Sequence, residues 1–114
     1  MLKDMGCNAI RTSHNMPAPE LIKACDEMGM MVMAESFDEW ATAKVQNGYH
    51  TVFGEWAEKD IVNLVRHFRN NPSVVMWCIG NEVPDQMGGR QRTQTIVMVT
   101  KHLPPRRPHS SRHA

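Results

Sequence analysis

Asn71-Pro72-Ser73-Val74-Val75-Met76-Trp77-Cys78-Ile79-Gly80-Asn81-Glu82 is the stretch on which the fold turns. It is a continuous apolar run that stops at Gly-Asn-Glu. A run without polar alternation suits a strand buried on both faces, as in a parallel sheet packed by helices. An amide and a carboxylate at the C-terminal end of such a strand do little for structure. They are well placed for chemistry, because the C-terminal rim of a parallel β/α barrel is where active sites are built.

Working back from that strand, Asn70-Asn71-Pro72 stops a helix. Trp56, Asp60, Leu64 and Phe68 line this helix from about Glu55 to Arg69, and Ile61 and Val65 widen its apolar stripe. Residues 41–53 read as a loop, with Asn47-Gly48 as the turn signal. Before the loop, Met30 to Ala34 is a second apolar strand, followed by Glu35-Ser36-Phe37-Asp38-Glu39-Trp40. Leu21, Ile22, Cys25 and Met28 fall at helical spacing after Pro17-Ala18-Pro19, and Gly29 ends that helix. Cys7 to Ser13 is the first strand. Leu2 to Gly6 reads as the last turn of a helix closed by glycine, so the chain is expected to begin inside a domain. Strand, helix, strand, helix, strand with short turns implies right-handed crossovers and a parallel sheet, an α/β fold.

The 114 residues have room for one small domain or a piece of a larger one. The formal net charge of +1 hides an asymmetry: residues 1–89 hold all 12 acidic residues against 7 Lys/Arg, and residues 90–114 hold 6 Lys/Arg and no acid. All aromatics lie at or before Trp77. Residues 1–86 therefore read as a folded body and residues 87–114 as a disordered or non-native basic tail, for which a frameshift is one explanation. The body has no basic patch with interleaved aromatics, so no nucleic-acid partner is expected. No run of apolar residues is long enough to cross a membrane. No signal peptide is legible, and the compartment stays unassigned. Cys7, Cys25 and Cys78 are odd in number and lack CxxC spacing. They read as reduced core thiols rather than a disulfide framework or a metal cluster.

The polar residues that carry chemistry all follow strands: Arg11, Ser13, His14 and Asn15 after the first, Glu35, Asp38, Glu39 and Trp40 after the second, Asn81 and Glu82 after the third. On a parallel barrel the three groups converge on one rim. Carboxylate, amide, imidazole, guanidinium and indole together suit a sugar, with charged and amide partners for hydroxyls and an aromatic face for the ring. Glu82, near Val83 and Trp77, is the candidate proton donor, its acid form favoured by desolvation. It also reads as a helix-start glutamate. Arg11 and His14 equally suit an ion pair and a rim histidine, Glu35 an acceptor inside the barrel mouth, and Trp40 a wall residue. His67 reads as a surface group.

Three blocks resemble the catalytic barrel of glycoside hydrolase family 2, which includes β-galactosidases, β-glucuronidases and β-mannosidases. Gly6 to Asn15 resembles its N-x-[IV]-R-x-S-H segment, Cys25 to Glu35 its CDE-G-hydrophobic-DE segment, and Asn71 to Glu82 its HPS-hydrophobic-W-x-x-GNE segment. The match covers about residues 1–86, and Glu35 to Trp40 most resembles β-galactosidase-like members. The resemblance implies a partial (β/α)8 TIM barrel of about three βα units. It implies Glu82 as general acid/base, Asn81 on the sugar 2-hydroxyl, and Arg11 and His14 lining the subsite, with Glu35 and Trp40 beside them. It implies retaining hydrolysis of terminal β-glycosides, in which a second carboxylate about 5–5.5 Å away is the nucleophile. No segment after Asp85 offers that nucleophile, so the chain alone is expected to be inactive. A non-catalytic carbohydrate-binding fragment or pseudoenzyme is the alternative. A cellulase-like barrel is disfavoured because Val83 separates Glu82 from Pro84. The family's usual Asp before the glutamate is Ala34 here. Members that use magnesium carry a Glu and a His after this block. Glu39 matches the Glu, but Trp40 follows with no His near, so no cofactor is expected.

Overall fold

A computed structural model describes residues 1–87. The elements run β1 (Ala9–Arg11), α1 (Pro19–Met28), β2 (Met31–Glu35), α2 (Phe53–Phe68) and β3 (Val74–Cys78), with 3-10 turns at Tyr49–Thr51 and Pro84–Met87. The three strands form one parallel sheet in the order β1-β2-β3. This is the parallel α/β sheet that the alternation of apolar runs and helices predicted. The basic tail expected for residues 87–114 lies, beyond Met87, outside the described residues.

Glycines close the two turns that lead into strands. Gly6 sits at φ 86. Its N–H bonds the Lys3 carbonyl at 2.9 Å, and the Cys7 N–H bonds the Leu2 carbonyl at 3.1 Å. This is the double bond pattern of a left-handed helix cap. Gly29 closes α1 at φ 68, its N–H bonded to the Cys25 carbonyl. Pro19 opens α1, where the missing N–H is harmless. Asp26 ties α1 to the start of β3. It accepts from Asn71 Nδ2 at 2.6 Å and from the Ser73 N–H at 2.9 Å. Burial pushes the Asp26 carboxyl up, but these bonds outweigh it and leave the carboxyl lowered.

Both helices pack on one face of the sheet. Val32 and Ala34 meet Ile22 and Cys25 of α1 and Ile61, Leu64 and Phe68 of α2, and Phe37, Trp40 and Phe53 extend this core. The buried side of α2 is Phe53, Ala57, Ile61, Leu64, Val65 and Phe68. Trp56, expected on that stripe, is 45% exposed and lies under Lys59 Nζ, 4.3 Å from its ring centre. At about 100° per residue the buried stripe centres near Ile61 and Phe68, and Trp56 falls outside it. His67 is exposed, as expected.

The other sheet face is open. Arg11 pairs with Met33, Met33 with Met76 and Glu35 with Cys78. Met31, Val75 and Met76 are exposed. In a closed barrel such positions fill the interior layers. Among the described residues no helix is long and apolar enough to cross a membrane.

Candidate active site

The three polar groups predicted after the strands meet at the C-terminal edge of the sheet, and Glu35 is their hub. It ends β2 and has no solvent exposure. Arg11, at the end of β1, reaches it through Nη2 at 2.6 Å and Nε at 3.1 Å. His14 Nδ1 lies 3.0 Å from Glu35 Oε2. Cys78 Sγ donates to Glu35 Oε1 at 3.3 Å. The Glu35 N–H donates to Thr12 Oγ1 at 2.9 Å. Burial pushes the Glu35 carboxyl up. The bonds from Arg11, His14 and Cys78 outweigh it and hold the carboxyl below the usual carboxylate range. Both Glu35 oxygens take donors, from Arg11, His14 and Cys78, and the carboxylate orients those side chains.

Arg11 carries the link to β3. The same Nη2 lies 3.1 Å from Asn81 Oδ1. One guanidinium, 41% exposed, therefore joins the ends of all three strands. The bond from Glu35 comes first among the causes that raise the Arg11 pKa. Asn81 and Glu82 sit in the turn after β3, and Glu82 is a non-glycine residue at φ 44. Glu82 is exposed. The burial expected around it from Val83 and Trp77 is therefore not found.

Trp40, in the loop after β2, is a buried wall residue. It is 1% exposed, packs on Phe53, and donates through Nε1 to the Ile79 carbonyl at 2.8 Å. A Cβ on Gly80 would come within 2.9 Å of that Nε1. With both ring faces covered, Trp40 props the β3 turn from behind.

Glu39 is buried and organises the loop after β2. It accepts from the His50 N–H at 2.8 Å, His50 Nδ1 at 2.9 Å and the Lys44 N–H at 2.6 Å. The His50 and Lys44 amides lead the causes that bring its pKa down to about 2. His50 thus stands beside Glu39 although eleven positions away in sequence, which corrects the expectation that no histidine is near. Both Glu39 oxygens are already engaged, and among the described residues no group of three or more His, Cys, Asp or Glu side chains could hold a metal.

Cys78, Thr12, Lys44 and His50 join this constellation without having been singled out as site residues in the sequence. Cys78 alternates with Trp77 along β3, which puts its thiol on the face of Glu35 rather than among the helices. Period two was the available signal. Lys44 and His50 carried none.

Comparison with known proteins agrees with this geometry. The family model described as "Glycosyl hydrolases family 2, TIM barrel domain" matches residues 1–112. The chain is 54% identical over 86 residues to a β-galactosidase of Bacteroides ovatus, covering 75% of this chain and 10% of that protein. It is 38% identical over 106 residues to a putative β-glucuronidase of Formosa agariphila, covering 93% and 10% respectively. A crystal structure of a β-glycosidase from Bacteroides vulgatus superposes with a TM-score of 0.84 at 45% identity, covering 94% of this chain and 14% of that one. The chain thus spans about a tenth of the length of these two curated relatives.

Proposed function

This chain belongs to the TIM barrel domain of the family 2 glycosyl hydrolases, and we propose that residues 1–86 supply the proton-donating side of a retaining site for terminal β-galactosides. The observation that carries the reading is the position of Arg11 Nη2, 2.6 Å from Glu35 Oε1 and 3.1 Å from Asn81 Oδ1. Through it the buried carboxylate of β2 fixes the amide beside Glu82. With Oδ1 taken by Arg11, the Asn81 amide presents its N–H2 to an acceptor such as the 2-hydroxyl, a contact that tightens in the transition state. Glu82 protonates the glycosidic oxygen as the C–O bond breaks. A carboxylate about 5–5.5 Å away attacks the anomeric carbon, and Glu82 then deprotonates the water that releases the sugar. That nucleophile comes from outside residues 1–87, and the chain alone is expected to be inactive.

A neutral sugar is favoured over a uronate. The rim cations Arg11 and Lys44 are each paired with a carboxylate, Glu35 and Asp38. The Bacteroides ovatus relative, at 54% identity, is a β-galactosidase. The test replaces the matching segment of that enzyme with residues 1–86. The chimera should hydrolyse nitrophenyl β-galactoside, the 114-residue chain alone should not, and Glu82→Gln should lower kcat of the chimera by about 10²–10⁴. A folded chimera that binds galactose-derived ligands without turnover would assign the non-catalytic role instead.

A further inference from the structure

Three donors on the loop after β2 reach the turn after β3. Trp40 Nε1 donates to the Ile79 carbonyl at 2.8 Å, Lys44 Nζ to the Asn81 carbonyl, and the Thr42 N–H to Asp85 Oδ2 at 2.9 Å. These contacts bracket Glu82 on both sides. The Asn81 carbonyl belongs to the peptide that joins Asn81 to Glu82. The orientation of that peptide plane sets φ of Glu82, which stands at 44. An L-residue does not settle there unaided, and the surrounding structure must hold it.

Lys44 is itself held in place. Its ammonium lies 3.1 Å from Asp38 Oδ1, its own N–H donates to Glu39 Oε2 at 2.6 Å, and its side chain is 22% exposed. The loop that carries it folds around the Glu39 carboxylate so closely that a Cβ on Gly48 would fall 1.8 Å from Glu39 Oε1. A charged donor makes a bond about twice as strong as a neutral one. Of the three donors only Lys44 acts on the peptide preceding Glu82.

We infer that Lys44 is a positioning residue: its ammonium, delivered by the Glu39-centred loop, locks the Asn81–Glu82 peptide and so aims the Glu82 carboxyl. The inference rests on the acid role proposed for Glu82, but its geometry is testable separately. In the full 114-residue chain, Lys44→Met should speed cleavage by a glutamate-specific protease after Glu82 about tenfold or more, as expected for the loss of a charge-assisted bond. Cleavage after Glu20 and Glu55, on the two helices, serves as the internal standard and should not change. Lys44→Arg, which keeps a cationic donor, should restore much of the protection. A uniform rise at all three glutamates, or none at Glu82, overturns the inference. In the chimera, a misaimed acid matters most where the leaving group needs its proton. Lys44→Met should lower kcat/KM about 10²-fold for methyl β-galactoside, with KM little changed, and far less for a dinitrophenyl β-galactoside. Equal losses on both substrates overturn it as well. An inactive parent chimera removes the proposed function instead and leaves the protease comparison to decide the role of Lys44.

Discussion

Arg11 Nη2 lies 2.6 Å from Glu35 Oε1, and the two partners differ sharply in exposure: the guanidinium is 41% exposed and the carboxylate is sealed. Removing either one therefore has unequal consequences. Glu35→Gln frees a guanidinium that water can reach, and the loss should be about 1–3 kcal/mol. Arg11→Met strands a buried carboxylate with fewer partners and should destabilise more. Urea midpoints of the chimeric barrel test the order, and a reversed order would sink the hub assignment.

The same pair sets a pH dependence. The folded Glu35 carboxyl is lowered, so its contribution is present above the ordinary carboxylate range and lost as pH falls through the folded value. In Arg11→Met the largest opposing bond is gone, so burial should weigh more heavily against the ionised carboxyl. The variant is then penalised for ionising as pH rises. The stability gap between wild type and Arg11→Met should be wider at pH 7 than at pH 4. A gap independent of pH would show that Arg11 contributes packing rather than charge.

Much of this was legible because it is local. The apolar runs of β2 and β3, the Pro19 start and the Gly29 stop all lie in consecutive residues, and parallel topology follows from their alternation with helices. The convergence of Arg11, His14, Glu35 and Asn81 follows from topology too. What stayed hidden is tertiary. An indole after a strand reads alike whether it faces a sugar or, like Trp40, the Ile79 carbonyl. His50 reaches Glu39 only because the loop turns back on itself at Gly48. Cys78 has apolar sequence neighbours, yet the pleat turns its thiol to Glu35.

The Glu39 loop should show its own response to acid. With the carboxyl at about 2, its bonds to the His50 and Lys44 amides persist well below the range in which ordinary glutamates protonate. A depressed folded value means stability present above the unfolded value and lost as pH falls through the folded one. Protection of residues 41–52 against amide exchange should therefore decline from about pH 4.3 toward pH 2, since unfolded glutamates titrate near the former. Glu39→Gln should abolish that decline and lower protection at neutral pH. Gly48→Ala, with no room for its methyl group beside Glu39 Oε1, should destabilise by about 1–3 kcal/mol. Unchanged exchange in both variants would show that the loop is held by something other than Glu39.

Glu82 at φ 44 poses stability against function within one residue. A left-handed conformation at a residue with a Cβ is disfavoured by about 1–2 kcal/mol, and glycine adopts it freely. Glycine also loses more chain entropy on folding, so the net gain is smaller. Glu82→Gly in the chimera should leave the fold intact, raise stability by up to about 1 kcal/mol, and remove turnover of substrates that need a proton. Glu82→Gln, which keeps the Cβ, should remove turnover without the gain in stability. The comparison is read from urea midpoints of the two variants side by side. If Glu82→Gly is the less stable of the pair, the backbone there is not strained and the Lys44 bond has nothing to restrain. If it is the more stable, the strain is held in place at the residue proposed to do the chemistry, as expected where the surrounding bonds over-determine a conformation that the chemistry requires.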